Sequence, residues 1–128
     1  MTRASKLAAA AVAGLCASLG FAAPASAADE GAFQARTTAQ LVALCGTPQN
    51  DPTYAQSVQF CHGFAAGALS YHRASRPPGA APDYCGLPAS RQQAVDRFVA
   101  WAQANPRYAQ DNPANTLFRF LDANYACR

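Results

Sequence analysis

The stretch "QFCHGFAAGALSYH", residues 59–72, decides the fold. In and just before it, Tyr54, Val58, Cys61, Ala65, Ala68 and His72 recur at alternating intervals of four and three, one face of a helix running from about Thr53 to about Ser75. Phe60, Phe64, Gly67 and Tyr71 make a second stripe beside the first. Two apolar stripes predict a helix covered on more than one side, and so a buried central helix.

The same stretch carries groups that could do chemistry. A thiolate nucleophile needs an imidazole close to it. Cys61 precedes His62 directly, but successive residues on a helix point about 100° apart, and His72 lies about three turns further on. A cysteine committed to a disulfide beside a surface histidine is the better reading, and the two histidines are too far apart along the helix to form a metal pair. Gly63 and Gly67 say more. A glycine inside a helix costs about 1 kcal/mol relative to alanine, so each predicts close helix packing against another backbone. A neighbouring helix of the same chain is the favoured partner, with a helix of a second subunit as the alternative.

Upstream, Arg3 and Lys6 form a basic n-region, "LAAAAVAGLCASLGFAA" an apolar h-region, and Ala25-Ser26-Ala27 a small-residue cleavage site. Residues 1–27 are therefore expected to be a signal peptide cleaved after Ala27. Cys16 is discarded with it, because Leu15 before it is too large for lipoprotein processing. Loss of Arg3 and Lys6 lowers the formal net charge from +3 to +1. The remaining arginines are scattered, which argues against nucleic acid, and no later segment approaches a membrane span. An exported periplasmic product, with no membrane association after signal cleavage, is expected.

Residues 28–36 read as a loose N-terminal arm and residues 37–128 as a single helical domain. Thr37 and Gln40 are spaced as a capping box before Leu41, Val42, Leu44 and Cys45, a short helix that "GTPQNDP" ends. Gly46 can take the left-handed conformation there, and Pro52 suits the first turn of the next helix. "RPPGAAPDYCGLP" is a rigid connection. Ser90 and Gln93 repeat the capping-box spacing before Val95, Phe98, Val99 and Ala102, and Asn112-Pro113 opens a last helix with Ala114, Leu117, Phe118, Leu121 and Tyr125 inward. The fold class is all-α: a compact bundle of four helices, one short and three long, stapled by two disulfides.

Four cysteines remain, Cys45, Cys61, Cys85 and Cys127, and they allow three pairings. An even number in a small exported domain reads as a disulfide framework, and without a CxxC pair or a suitably spaced histidine no metal site is expected. An antiparallel hairpin of the last two helices brings Cys85 near Cys127 and leaves Cys45 for Cys61, so that pairing is favoured. Asp83, Asp96, Asp111 and Asp122 are dispersed and make no acid–base pair, and there is no phosphate loop or serine elbow. No enzyme, catalytic residue or cofactor is expected. Arg73, Arg76, Tyr84 and Arg107 with Tyr108 flank loops, where arginine and tyrosine suit a protein interface.

Taken together, "QLVALC", "FCHGFAAGA", "YCGLP", "ANPRY", "NPANTLFRFL" and the penultimate cysteine resemble the Rap/Tai-type immunity proteins of type VI secretion, from about Thr38 to Cys127. The resemblance implies an all-helical, often dimeric periplasmic protein that binds and blocks a peptidoglycan amidase effector. Cys45, Cys61, Cys85, Cys127, Gly63 and Gly67 would be scaffold residues, with nothing catalytic. The chain departs from the pattern at Ala126, where the family commonly has proline before the last cysteine, and at Gly86-Leu87-Pro88 after Cys85. Arg73, Arg76 and Tyr84, near the Pro-rich loop, are the expected partner-binding residues, and a homodimer is possible. The competing reading is a general periplasmic envelope-stress protein such as an acid-activated chaperone.

Overall fold

The computed structural model of the chain describes residue 31 and residues 33–128. The expected signal peptide, Cys16 and most of the start of the arm lie outside the described residues. Four α-helices follow one another: α1 (Thr38–Cys45), α2 (Tyr54–Ala74), α3 (Arg91–Ala104) and α4 (Pro113–Tyr125), with a 3-10 turn at Pro106–Tyr108 between the last two.

Local chemistry sets the starts of these helices. The Thr37 hydroxyl accepts from the Gln40 N–H, and the Gln40 side chain accepts from the Thr37 N–H, which completes the capping box. Ser90 accepts from the Gln93 N–H, but Gln93 does not reciprocate, so α3 has half of the expected box. The Asn112 side chain accepts from the N–H groups of Ala114 and Asn115, with Pro113 in the first turn. At α2, Pro52 stands one residue before the N-cap rather than in the first turn. The Asp51 carboxylate organises this entry by accepting from the N–H and the hydroxyl of Thr53. Those bonds lower the pKa of Asp51. Gly46 is not left-handed, with φ −93°; the residues with positive φ are Gly79 and Gly86 in the Pro-rich loop, at 78° and 68°.

The core comprises Leu41, Cys45, Cys61, Val95, Phe98, Ala102, Leu117, Phe120, Leu121 and Tyr125. The short helix α1 touches each of the other three, and α4 supplies four of these residues. On α4 the inward aromatics are Phe120 and Tyr125, whereas Ala114 and Phe118 are half-buried. Beneath α1, the Thr38 hydroxyl donates to the Thr116 hydroxyl at 2.7 Å, and the Thr38 N–H to the Asp111 carbonyl at 2.9 Å.

The central, all-round-buried reading of α2 is corrected. Ser57 and Cys61 are its buried residues; Phe60 and Phe64 are half-buried, Gly67 is exposed and Tyr71 is 77% exposed. One stripe docks and the second lies along the rim of the contact. Close packing of Gly63 and Gly67 against another helix of this chain is corrected with it: a side-chain carbon placed at either glycine meets nothing within 4 Å. The described part of the arm is tied down, with Phe33 against Phe60 at 6.0 Å between ring centroids.

Both favoured disulfides are present. Cys45–Cys61 joins the end of α1 to α2, and Cys85–Cys127 joins the Pro-rich loop to the chain just beyond α4.

Candidate functional site: the anchored Pro-rich loop

Residues 75–90 leave the end of α2 and return to the start of α3. Three prolines and a positive-φ glycine, Gly79, restrict the backbone of the outer half. The inner half is fastened by side chains. The Asp83 carboxylate lies 2.7 Å from His72 Nε2 and 2.9 Å from Arg76 Nη2. Arg76 also donates to the Ala81 carbonyl, so a single guanidinium holds the loop at two points.

Tyr84 locks the return. Its ring stacks near Phe118, with centroids 6.4 Å apart, and packs against His72 at 5.7 Å, while the hydroxyl donates to Asp122 Oδ1 at 3.1 Å. Burial first, then the hydrogen bond to Asp122 and the charges of Asp122 and Asp83, push the Tyr84 hydroxyl up to about 12 despite Arg76. It is therefore a proton donor throughout the physiological range. The backbone continues the fastening: Tyr84 forms an antiparallel bridge with Ala126, the Cys85 N–H donates to the Tyr125 carbonyl at 2.7 Å, and the Cys127 N–H to the Asp83 carbonyl at 2.8 Å. Cys85–Cys127 closes this short ladder covalently.

Of the residues expected to meet a partner, Arg73, Arg76 and Tyr84 do gather around this loop. Arg76 and Tyr84 are engaged in holding it. Arg73 is exposed and has no hydrogen bond or ion pair from its side chain among the described residues. A recess of about 350 Å³, bordered by Arg73, Pro77, Gly79 and Pro82, separates the loop from α2. Sequence reasoning missed the roles of His72 and Asp83. Eleven residues and a turn-rich loop separate them, so no periodic signal links the two. Arg107 and Tyr108 form a separate cluster, where Arg107 and Arg119 lie over the Tyr108 ring and Trp101 stacks on it at 5.7 Å.

The four described cysteines are all oxidised, and no group of His, Cys, Asp or Glu able to hold a metal ion occurs among the described residues. His72 Nε2 is taken up by Asp83, and the nearby Ser75 hydroxyl donates to the His72 backbone carbonyl rather than to its ring. No described helix is long and apolar enough to cross a membrane. Fold and loop together define a small, disulfide-stapled helical domain whose most elaborately fixed surface element is a loop. The chain matches the family of Rap1a immunity proteins over residues 37–127, and it belongs to that family. It is accordingly an immunity protein, which binds a cognate secreted effector. Comparison with curated proteins and with solved structures finds no match.

Proposed function

We propose that the protein is an exported, periplasmic, non-enzymatic inhibitor that binds and occludes a peptidoglycan amidase delivered by type VI secretion. Family membership across residues 37–127 carries this reading, and the leader-like first 27 residues support export. The Pro-rich loop is the inhibitory element. A loop already fixed by Asp83, Arg76, Tyr84 and a disulfide loses little conformational entropy on entering a groove, which favours affinity. Arg73, unpaired beside it, contributes charge complementarity.

The test starts with the mature, oxidised protein used to capture partners from lysate of its own species, followed by an activity assay of the captured hydrolase on peptidoglycan. A stoichiometric amidase, silenced at equimolar inhibitor, is the expected outcome. Full amidase activity in excess inhibitor would sink the proposal. Arg73→Glu should weaken inhibition without lowering the melting temperature, whereas Arg76→Ala should lower both by releasing the loop.

Self-association belongs to the same reading. Gly63, Gly67 and Ser70 are exposed on α2, and among the described residues nothing lies within 4 Å of a side-chain carbon at either glycine. A second copy packed there would offset the roughly 1 kcal/mol that each helical glycine costs. Sedimentation equilibrium should find a dimer that Gly67→Leu converts to monomer; a native protein that stays monomeric at high concentration removes this part. The competing reading, an acid-activated chaperone, predicts that the protein suppresses aggregation of unrelated clients at low pH, which an amidase inhibitor should not do.

A further inference from the structure

A half-enclosed cleft of about 300 Å³ opens between α2 and the start of α3, within the size range of small-ligand sites. Its walls are apolar: Phe64 and Leu69 from α2, Val95 from α3 and Leu87 from the loop, with the Cys45–Cys61 disulfide also facing it. Leu87 is 38% exposed, an unusual state for a leucine beside other apolar side chains. The polar lining comes from His62, which is paired with Gln92, from Ser90, and from two cations, Arg73 in the last turn of α2 and Arg91 in the first turn of α3. Neither guanidinium has a hydrogen-bond or ion partner among the described residues. The N-terminus of α3 adds positive potential at the same end.

Apolar walls with two unpaired guanidinium groups fit a ligand that is apolar along its length and anionic at one end. We propose that this cleft binds a small alkyl carboxylate, its chain against Phe64, Leu69, Leu87 and Val95 and its carboxylate on Arg73 and Arg91. The chain contributes by leaving water, and the carboxylate by charge-assisted, bidentate hydrogen bonds. A neutral molecule of the same shape gains the first contribution only. The cleft shares Arg73 and Leu87 with the rim of the recess beside the Pro-rich loop, but alkyl carboxylate binding is read independently of the effector.

Isothermal titration of the mature, oxidised protein with decanoate, octanoate and decanol, each below its micelle-forming or solubility limit, tests this. Decanoate should bind at one site, more tightly than octanoate and at least about tenfold more tightly than decanol, since bonds to a charged group are the difference. Arg91→Gln should weaken decanoate about tenfold and leave decanol unchanged. Ala94→Phe, which places a ring on the cleft wall, should abolish binding while the far-UV circular dichroism stays native. Decanol binding as tightly as decanoate, no saturable binding of decanoate, or native affinity in a folded Ala94→Phe protein would each overturn the proposal. So would an Arg91→Gln variant that keeps decanoate and loses the effector, which would assign the cleft to the protein partner.

Discussion

Thr38 and Thr116 are almost wholly buried, and besides their mutual bond the Thr38 hydroxyl reaches the Asp111 carbonyl at 3.1 Å and the Thr116 hydroxyl the Asn112 carbonyl at 3.4 Å. Replacing either with valine removes the mutual bond but leaves the other hydroxyl its backbone acceptor, so each single change should cost about 1 kcal/mol for that bond, and replacing both loses the same bond once. The double variant should therefore be less destabilised than the sum of the singles by about 1 kcal/mol in urea unfolding, and simple additivity would show the bond to be unimportant. Tyr84 allows a test by pH. Its hydroxyl titrates at about 12 in the folded protein against 10.0 for an unperturbed tyrosine, so the fold favours the protonated form. That contribution is fully present below pH 10 and is lost as pH rises towards about 12. Ultraviolet titration should show a tyrosine ionisation near pH 12, and Tyr84→Phe should remove that late phase and lessen the alkaline loss of stability. A late phase that survives the substitution belongs to another tyrosine.

The helices were legible in sequence because periodicity and capping chemistry are local: Thr37 with Gln40 and Asn112 with Pro113 mark their helix starts without reference to the rest of the chain. What failed depends on neighbours. Phe118 and Phe120 stand two residues apart on α4; the spacing placed Phe118 in the core, but Phe120 fills it, while Phe118 supports His72 and Tyr84. The reading of Gly63 and Gly67 as a close approach within the chain fails because a side-chain carbon at either meets nothing within 4 Å among the described residues. The fastened loop was hidden for the same reason, since the Asp83 contacts and the Tyr84–Ala126 bridge join segments that share no period. The disulfide pairing was readable because a helical hairpin constrains its own ends. By loop-closure reasoning the 16- and 42-residue separations stabilise by roughly 3 and 4 kcal/mol. The two bonds differ in access: Cys45 and Cys61 are 5% and 2% exposed, whereas Cys85 lies at the surface. Attack by an external thiolate requires access, so mild reductant under native conditions should free Cys85 and Cys127 first. Alkylation and peptide mapping that found Cys45 and Cys61 labelled earlier would mean that α1 and α2 separate before the loop does.

For the molecule as a whole, burial is unevenly shared. Five non-proline positions of α4 are buried, Thr116, Leu117, Phe120, Leu121 and Tyr125, whereas α2, the longest helix, buries Ser57 and Cys61, both in its first half. Local opening is easiest where few apolar contacts must break, so the second half of α2, held to α4 and the loop mainly through His72, should open before α1, α3 and α4 do. In dilute, oxidised protein, hydrogen exchange should be fastest among helical amides at residues 66–74 and slowest in α4, where exchange requires global unfolding. A paired replacement of Cys45 and Cys61 by alanine should extend the fast region back through the first half of α2. Concentration then separates two causes of protection. If α2 pairs with a second copy across Gly63 and Gly67, protection of residues 63–74 should rise with protein concentration while that of α4 stays constant; equal protection of α2 and α4 at every concentration would show that α2 is held within its own chain more firmly than its buried surface accounts for.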